Sequence, residues 1–515
     1  MFDRRQILLG GAAALGACTH GEAPVTPDAN ADAQFRDAVD RMAERSRRTR
    51  AFLLRRFDTR RLTSEGRILY DAVLPGAEAD AALADFAWGQ SGAPYPVTHR
   101  NGQYRRAAEM RADDRPGISV REVNNDTNRL DGHAARGVIA PDFLIDAAIP
   151  AVEAAQSRVA ATGERRYEPL AEALGRQAAK LRELRAQAGS EAGVWRLPGG
   201  DEYYALSLQY QLGVAVDPRD AHQRALQRCR ELQAEADALL RAQGLTEGDV
   251  AERLRALARD ERHLYADSAG GKAQAVADMS ENLARMRGLL TPDVLVGAAE
   301  APAQVRLLPA PQEAGGAQGR RQGTNYLVDL GAIRTRPRWT LPSVVYHELI
   351  PGHILQAPYE REASPPALQL RYASGYSEGW ATYAEQLADE LGAYADNPLG
   401  RIGYLQWMLF RMARVVADTG IHVMRWSRER AIEEMRALQG DSIAFVSIED
   451  DVVRFCAQPG AFAAQGLAAL NIVELREQTR RRARDFSLAR FHDAMLRHGP
   501  LSPPGLAQAA RAAFA

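Results

Sequence analysis

The most informative stretch of this 515-residue chain is a histidine motif in its second half. It reads Tyr346-His347-Glu348-Leu349-Ile350-Pro351-Gly352-His353. A zinc-binding helix of the HExxH type spaces its two histidines four residues apart, so that both imidazoles lie on one face, and the glutamate after the first histidine acts as general base. Here the second histidine comes six residues after the first, which is about 120° away on a regular helix.

The residues between the two histidines leave two interpretations open. Pro351 has no N–H with which to bond the carbonyl of His347, and Gly352 can adopt backbone conformations closed to other residues. In the first interpretation the chain bulges, admits two extra residues and brings both histidines to one metal ion. In the second, the helix ends at the break and His353 is an ordinary core or surface residue.

A third candidate metal ligand follows in the run Tyr376-Ser377-Glu378-Gly379-Trp380. Ser377 is a favourable N-cap, and apolar residues at helical spacing behind it predict a helix with Glu378 in its first turn. Glu385 lies on the same face, either as a surface residue or as a support for a ligand histidine. Two histidines and a glutamate with an open fourth position outline a catalytic zinc site, for which Glu348 would be the base.

The same stretch supports a rival interpretation as a serine esterase. Gly375 to Gly379 spells G-x-S-x-G, the nucleophile elbow of α/β-hydrolases, with Ser377 as nucleophile. Leu368, Leu370 and Tyr372 alternate like a strand ahead of it. The elbow requires a βαβ sheet around it, and the chain offers few strand-like runs, so this interpretation is kept as an alternative.

The rest of the chain predicts a mainly α protein. Residues 34–290 carry apolar side chains at three- and four-residue spacing, and 401–418 forms an apolar run that is interrupted by arginines and fits a core helix better than a membrane span. Two β-like runs, 305–308 and 325–330, lie on either side of a glycine-rich segment and predict a small hairpin or sheet. Within the second run, Tyr326–Leu330 could be an edge strand that pairs with an extended substrate, or a plain structural strand.

Composition and charge restrict the class of protein. The chain is 46% hydrophobic and 25% charged, as in ordinary soluble globular proteins. A formal net charge of −1 argues against a nucleic-acid partner. The three cysteines are too few for a disulfide scaffold, and we expect Cys229 and Cys456 to be buried free thiols.

The first residues predict export. An arginine pair precedes a short apolar run that ends in Leu15-Gly16-Ala17-Cys18, so residues 1–18 resemble a twin-arginine export signal that ends in a lipobox. Cleavage would leave either a lipid anchor on Cys18 or an unmodified end. Residues 19–33 are small and polar and predict a flexible tether. We therefore expect an exported, periplasmic protein whose folded part spans 34–515.

Several ordered motifs together resemble those of the bacterial domain-of-unknown-function 885 family, over nearly all of the mature chain. They are the two motifs quoted above, the run from Arg414 to His422, Arg454 followed by Pro459-Gly460, and Phe491-His492-Asp493. The resemblance implies a two-lobed, helical, zincin-like metallopeptidase for short peptides, with an N-terminal lobe at 34–290 and a metal-site lobe at 291–515. It implies one zinc ion on His347, His353 and Glu378, with Glu348 as base.

The chain also departs from that family pattern. Ala461 stands where relatives often have a glutamine, and Gln465 stands where they have a tyrosine that could stabilise the oxyanion. Substitutes for that tyrosine would be Tyr372, Tyr376 or Tyr383. We expect Tyr376, His422 and Arg454 to contact substrate, although His422 could equally be a core residue bonded to Asp418. A peptide-binding lipoprotein with a metal site and no turnover is the alternative function.

Overall fold

The structure is a computed structural model that describes residues 26–108, 120–309, 319–443 and 446–515. The predicted export signal, Cys18 and the first part of the tether lie outside these residues. The chain is already helical from Ala29, so the predicted tether 19–33 overlaps the first helix, and the start of the folded part moves back from 34. Asp28 caps this helix by accepting a hydrogen bond from the backbone of Ala31.

The first half of the described chain is helical, as its apolar periodicity predicts. Its helices are α1 (Ala29–Met42), α2 (Arg47–Arg55), α3 (Ser64–Leu83), α4 (Tyr104–Ala108), α5 (Val120–Ala134), α6 (Asp142–Ala160), α7 (Glu168–Arg185), α8 (Gly200–Leu212), α9 (Pro218–Ala242), α10 (Val250–Ala258) and α11 (Ala269–Leu289).

A three-stranded sheet follows, in the place where the sequence predicts a small hairpin or sheet. Its strands are β1 (Gln304–Leu307), β2 (Arg320–Gln322) and β3 (Asn325–Val328), in the order β1-β3-β2. The two predicted runs form β1 and β3, but they pair in parallel, and the hairpin is formed by β2 and β3. Because β3 has a neighbour on each side, it is a plain structural strand, and the alternative in which Tyr326–Leu330 is an edge strand is wrong. The edges of the sheet are β1 and β2, and all three residues of β2 are exposed.

The second half returns to helices. They are α12 (Leu341–Glu348), α13 (His353–Ala363), α14 (Ala367–Tyr372), α15 (Tyr376–Glu390), α16 (Pro398–His422), α17 (Arg428–Gln439), α18 (Ile448–Ala457), α19 (Ala461–Arg482), α20 (Leu488–Leu496) and α21 (Pro503–Ala513). The predicted strand at Leu368–Tyr372 is the helix α14, in which Leu368 and Tyr372 are buried by packing against α1, α3 and α8, while Leu370 is exposed.

Helix α16 is the centre of the molecule. It is buried along most of its length and packs against α9, α12, α15, α17, α18 and α19, which confirms the predicted core helix at 401–418. The main hydrophobic core joins side chains from Ile68 to Ala510, so residues of both predicted lobes share it. Two smaller clusters lie among α4–α7 and around α1–α3.

Two further findings bear on the chemistry of the fold. Cys229 and Cys456 are buried free thiols, as predicted. Among the helices that the structure describes, none combines the length and apolarity needed to cross a membrane.

Candidate metal centre

The two motif histidines lie on two different helices. His347 is in the last turn of α12, and His353 is the first residue of α13. The helix therefore ends at the Pro-Gly break, as the second interpretation predicts, yet the turn brings the histidines together, as the first requires. Their ring centroids are 4.9 Å apart at 88°, and both residues are buried.

The turn between the helices is fixed by close packing. A Cβ atom on Gly352 would lie 1.9 Å from the carbonyl oxygen of His347, so a side chain cannot be placed there without moving the backbone. The indole N–H of Trp380 donates to the carbonyl of Pro351 at 2.9 Å. Because Trp380 follows Glu378 closely on α15, this bond fixes the turn relative to the third candidate ligand.

Glu378 completes a set of three ligands. Its two carboxylate oxygens lie 3.5 Å from Nε2 of His347 and 3.5 Å from Nε2 of His353. Nε2 of His353 is buried and has no hydrogen-bond partner among the described residues. Ligand atoms about 2.1 Å from a tetrahedral zinc ion lie about 3.4 Å apart. These residues therefore fit a metal ion and form a possible metal-binding triad.

Each of the two histidines is oriented by a polar contact at its Nδ1 atom. Nδ1–H of His347 donates to Glu385 at 2.8 Å, and the other oxygen of that carboxylate accepts a 2.6 Å bond from Ser343. Nδ1 of His353 lies 3.3 Å from the Ser377 hydroxyl, which donates to Gln356. Such bonds fix the tautomer that presents Nε2 to a metal. Glu385 thus supports a ligand histidine, one of its two predicted roles.

Ser377 occupies neither of the two positions predicted for it, the N-cap of a helix and the nucleophile elbow. Helix α15 begins at Tyr376 with Gly375 as N-cap, so Ser377 lies inside the first turn instead of capping it. The nucleophile elbow requires a strand before the serine, whereas α14 precedes it. The predicted nucleophile elbow is therefore wrong, and the Ser377 hydroxyl contacts His353 of the triad.

Charges in the triad oppose the effect of burial. Burial and the nearby charge of Arg411 act to lower the pKa of His347, but Glu378 and Glu385 outweigh them and raise it to about 9. Burial acts to raise the pKa of Glu378, yet the two imidazoles hold it well below its ordinary range. A site that attracts a proton in this way also attracts a metal cation.

Arg411 of α16 lies against the same group. Its Nη2 atom is 3.2 Å from both ring nitrogens of His347, and its guanidinium is 3.7 Å from Glu378 and from Glu385. Arg411 therefore compensates the negative charge of the two glutamates. Its position beside His347 and Glu378 makes it a part of the candidate metal centre.

A cavity of about 420 Å³ opens onto His347 and Glu378 of the triad. Glu348 lines it and forms a 2.6 Å ion pair with Arg321 of β2. Arg454, predicted to contact substrate, lines it as well, and so does Gln465. The cavity wall thus contains the predicted base and Gln465, for which the family resemblance implies a tyrosine in relatives.

Comparison with known proteins gives the family. The model of the bacterial family of proteins of unknown function, DUF885, matches residues 12–509. The chain belongs to this family. A comparison with curated protein sequences finds no match.

Two solved structures share the DUF885 protein's fold. One is a predicted lipoprotein of Colwellia psychrerythraea, 24% identical, with a TM-score of 0.74 over 93% of this chain and 90% of the other. The second is a predicted lipoprotein of unknown function from Shewanella oneidensis, 19% identical, with a TM-score of 0.68 over 95% and 94%. At these identities the likeness shows the fold alone.

Two of the substrate contacts predicted for the DUF885 protein are wrong. His422 is fully buried and outside the cavity lining; it accepts a bond from the Val194 N–H and donates to the carbonyl of Phe455. It is a core residue, 3.9 Å from Asp418, too far for the predicted hydrogen bond. Tyr376 is also buried outside the lining, and its hydroxyl donates to the carbonyl of Met495 at 2.6 Å.

The other tyrosines proposed as substitutes are bonded elsewhere. Tyr372 donates to Asp80, and Tyr383 contacts His492. Sequence reasoning missed Tyr326 of β3, a residue of the cavity wall whose ring is buried and whose hydroxyl has no hydrogen-bond partner in the described parts of the chain. Burial, and secondly the charge of Glu348, raise the pKa of Tyr326 well above its ordinary value, so the hydroxyl stays protonated. The sequence signal that could have pointed to Tyr326 is the strand-like apolar pattern of residues 325–330, which precedes the histidine motif.

Proposed function

We propose that the protein is a zinc-dependent peptidase that cleaves short peptides. The observation that carries this proposal is the convergence of His347, His353 and Glu378 around a cation-sized gap, with Glu348 on the wall of the adjoining cavity. Two imidazoles and one carboxylate are the ligand set of catalytic zinc sites in which a fourth position is left to water or substrate.

In the proposed hydrolysis of a peptide bond, Glu348, Arg321 and Tyr326 each have a separate role. Zinc held by His347, His353 and Glu378 would supply a Lewis acid that polarises a carbonyl and lowers the pKa of a water. Glu348 takes the proton of the attacking water and passes it to the leaving amine. Arg321 orients the carboxylate of Glu348 through their 2.6 Å contact. The buried Tyr326 hydroxyl donates a hydrogen bond to the oxyanion of the tetrahedral intermediate.

The size of the cavity supports a small substrate. Its volume of about 420 Å³ is in the range of pockets that bind small ligands. A zincin-like, two-lobed metallopeptidase with a cleft for short peptides is the architecture that this proposal assigns to the family fold.

Export belongs to the same proposal. Two proteins with this fold are described as lipoproteins, and the start of this chain carries the arginine pair and the Leu-Gly-Ala-Cys sequence at Cys18. We infer an exported, periplasmic protein with a lipid anchor on Cys18.

Metal analysis combined with peptide cleavage tests the function. The purified protein should contain one zinc per chain and cleave members of a short-peptide library, detected by mass spectrometry. Glu348→Gln should bind zinc but cleave at least a hundredfold more slowly, the order of effect expected of a general base. Glu433→Gln, on the exposed face of α17, is the matched control and should keep the wild-type rate.

A peptide-binding protein without turnover is the second candidate. Gln465 favours it, because this residue lines the cavity where relatives have a tyrosine. Stoichiometric zinc and peptide binding, with no cleavage across the library, would support this candidate and rule out the peptidase.

A further inference from the structure

The cavity has a second cluster of charged side chains, away from the ligands of the triad. It consists of Arg414 on α16, Arg454 on α18, and Arg100 in the loop before α4, which all line the cavity. Behind them lies Asp451, whose side chain is 1% exposed. We refer to the three arginines and this aspartate as the arginine cluster.

Asp451 is already engaged by one of the three arginines. Its two oxygens accept bonds from Nε and Nη2 of Arg414 at 2.8 and 2.9 Å. This is the bidentate geometry in which a guanidinium binds a carboxylate most strongly. Arg454 approaches the same carboxylate only to 3.5 Å, and Nε of Arg100 donates to the neutral side chain of Gln458 at 3.3 Å.

The arginine cluster therefore has more positive than negative charge. The cluster contains three guanidinium groups and one buried carboxylate. The neighbouring Asp450 is exposed and lies outside the cavity lining. Burial, followed by the positive charges of Arg454 and Arg105, lowers the pKa of Arg100, as expected where like charges repel. An anion placed between Arg100 and Arg454 would remove this repulsion.

The arginine cluster and the metal centre belong to one cavity. Arg411, which contacts His347, lies one turn before Arg414 on α16, a rise of about 5 Å. The ring of Phe410, on the same helix, has the guanidinium of Arg414 4.1 Å from its centroid and that of Arg411 5.3 Å away. A peptide bound at the triad would therefore reach the cluster with a group close to the scissile bond.

We propose that Arg100 and Arg454 form a subsite that binds a carboxylate group of the substrate. The proposal rests on the peptidase function above and deepens it by naming the substrate class, peptides with a carboxylate near the cleaved bond. That carboxylate is either the C-terminus of the peptide or an aspartate or glutamate side chain.

Peptide binding to the zinc-loaded Glu348→Gln protein, measured by calorimetry, tests the subsite without requiring turnover. The probes are an N-acetylated tripeptide with a free C-terminus, its C-terminal amide, and the amide with one glutamate side chain. Hydrogen bonds to charged groups predict that a carboxylate improves the affinity about ten- to one-hundredfold over the neutral amide. The probe that shows the gain identifies the source of the carboxylate.

Variants of the arginines complete the test. Arg454→Gln and Arg100→Gln should each reduce the gain at least about tenfold and leave the affinity for the neutral amide unchanged, while Arg454→Lys should restore part of it. Arg430→Gln, an exposed arginine of α17 outside the cavity, should keep the full gain. Circular dichroism and melting temperature establish that each variant is folded.

The outcomes separate this proposal from the proposed function. Equal affinities for all three probes, a gain that survives both substitutions, or no measurable binding of any probe would overturn the subsite. If the carboxylate gain is present but the wild-type protein cleaves nothing, the subsite holds and the peptidase is ruled out. If the wild-type protein cleaves peptides but the probes show no carboxylate gain, the peptidase holds and the subsite is overturned.

Discussion

The hydroxyl of Tyr326 is an unusual group for a protein interior. A buried hydroxyl without a hydrogen-bond partner costs about 1–3 kcal/mol of folding free energy. Tyr326 lies on the central strand of the sheet, in a fully buried position, and its hydroxyl has no hydrogen-bond partner within the described ranges. Gly319 lies against it so closely that an added Cβ would be 2.4 Å from the hydroxyl oxygen. The site therefore keeps a hydrogen-bond donor, the Tyr326 hydroxyl, that the stability of the fold does not require.

Tyr326→Phe should separate catalysis from stability. We expect kcat to fall about a hundredfold, the effect of losing one oxyanion donor, while KM and zinc content stay unchanged. The melting temperature should be unchanged or higher, because an unsatisfied polar group is removed. Steady-state kinetics and thermal unfolding measure the two effects.

Tyr376→Phe is the matched control for this prediction. Its hydroxyl donates to the carbonyl of Met495, so its removal should lower stability by about 1–3 kcal/mol without changing kcat. A normal rate for Tyr326→Phe would contradict the oxyanion role.

The residues of the site differ in how well sequence reveals them. His347, His353, Glu378 and Glu348 follow from residue type and spacing, because the chemistry of a metal site restricts both. His422 and Tyr376 have equally suitable side chains, but each is buried against a neighbouring backbone carbonyl. Sequence does not show which way a side chain faces, and for the same reason it could not reveal Tyr326.

At the scale of elements, the turn between α12 and α13 determines the metal centre. A regular helix would place the two histidines on different faces, whereas the break at 349–352 lets the second helix start with His353 facing back. Pro351 and Gly352 predict a break, but its geometry depends on Trp380 of α15, a distant residue in sequence.

Gly352→Ala should disrupt this turn. The added methyl group would collide with the carbonyl of His347, so we expect a loss of about 1–3 kcal/mol in stability and a zinc affinity reduced at least tenfold. Competition with a chromogenic chelator measures the affinity. Gly288→Ala, in a helix where nothing lies within 4 Å, should be neutral or slightly stabilising; if both variants bound zinc like the wild type, the turn would not control the site.

The junction of α16 with α19 should make stability depend on pH. Asp418 is fully buried and accepts hydrogen bonds from Tyr204 and from the backbone of Gly460 and Ala463. Burial raises its pKa from 3.8 to about 7. The folded state therefore holds a proton that the unfolded chain releases between these values. The resulting stabilisation is complete below pH 3.8 and is lost as the pH rises through 7.

Asp418→Asn should flatten that dependence. Between pH 5 and pH 8 we expect the wild type to lose a few kcal/mol more unfolding free energy than the variant, measured by chemical denaturation at each pH. The variant should also be less stable at pH 5, because its amide cannot accept all three bonds. Asp396→Asn, whose side chain is 83% exposed, should retain the wild-type slope; a parallel slope for Asp418→Asn would contradict the assignment.

At the scale of the whole molecule, apolar periodicity predicts most of the fold. The helical halves and the core helix α16 follow from the spacing of their apolar residues. The sheet is predicted less well, since β2 consists of Arg320, Arg321 and Gln322, all exposed, and carries no apolar pattern. Strand order depends on contacts between distant parts of the chain, and local sequence contains no information on them.

Removal of the metal should lower the stability of the whole protein. Zinc bound between α12, α13 and α15 would stabilise the folded state in proportion to the logarithm of its concentration. We expect chelation to lower the melting temperature by a few degrees and added zinc to restore it. His353→Ala should melt at the same temperature with and without zinc. If chelation left the melting temperature of the wild type unchanged, a tightly bound metal that stabilises the fold would be excluded.

The two buried thiols have a consequence for the redox chemistry of the molecule. Cys229 lies on α9 and Cys456 on α18, and burial raises both pKa values, that of Cys229 to about 12. Thiol–disulfide exchange requires an accessible thiolate. Once folded, these two cysteines are therefore protected from thiol–disulfide exchange, and the described part of the chain can move from a reducing to an oxidising environment without forming a disulfide between them.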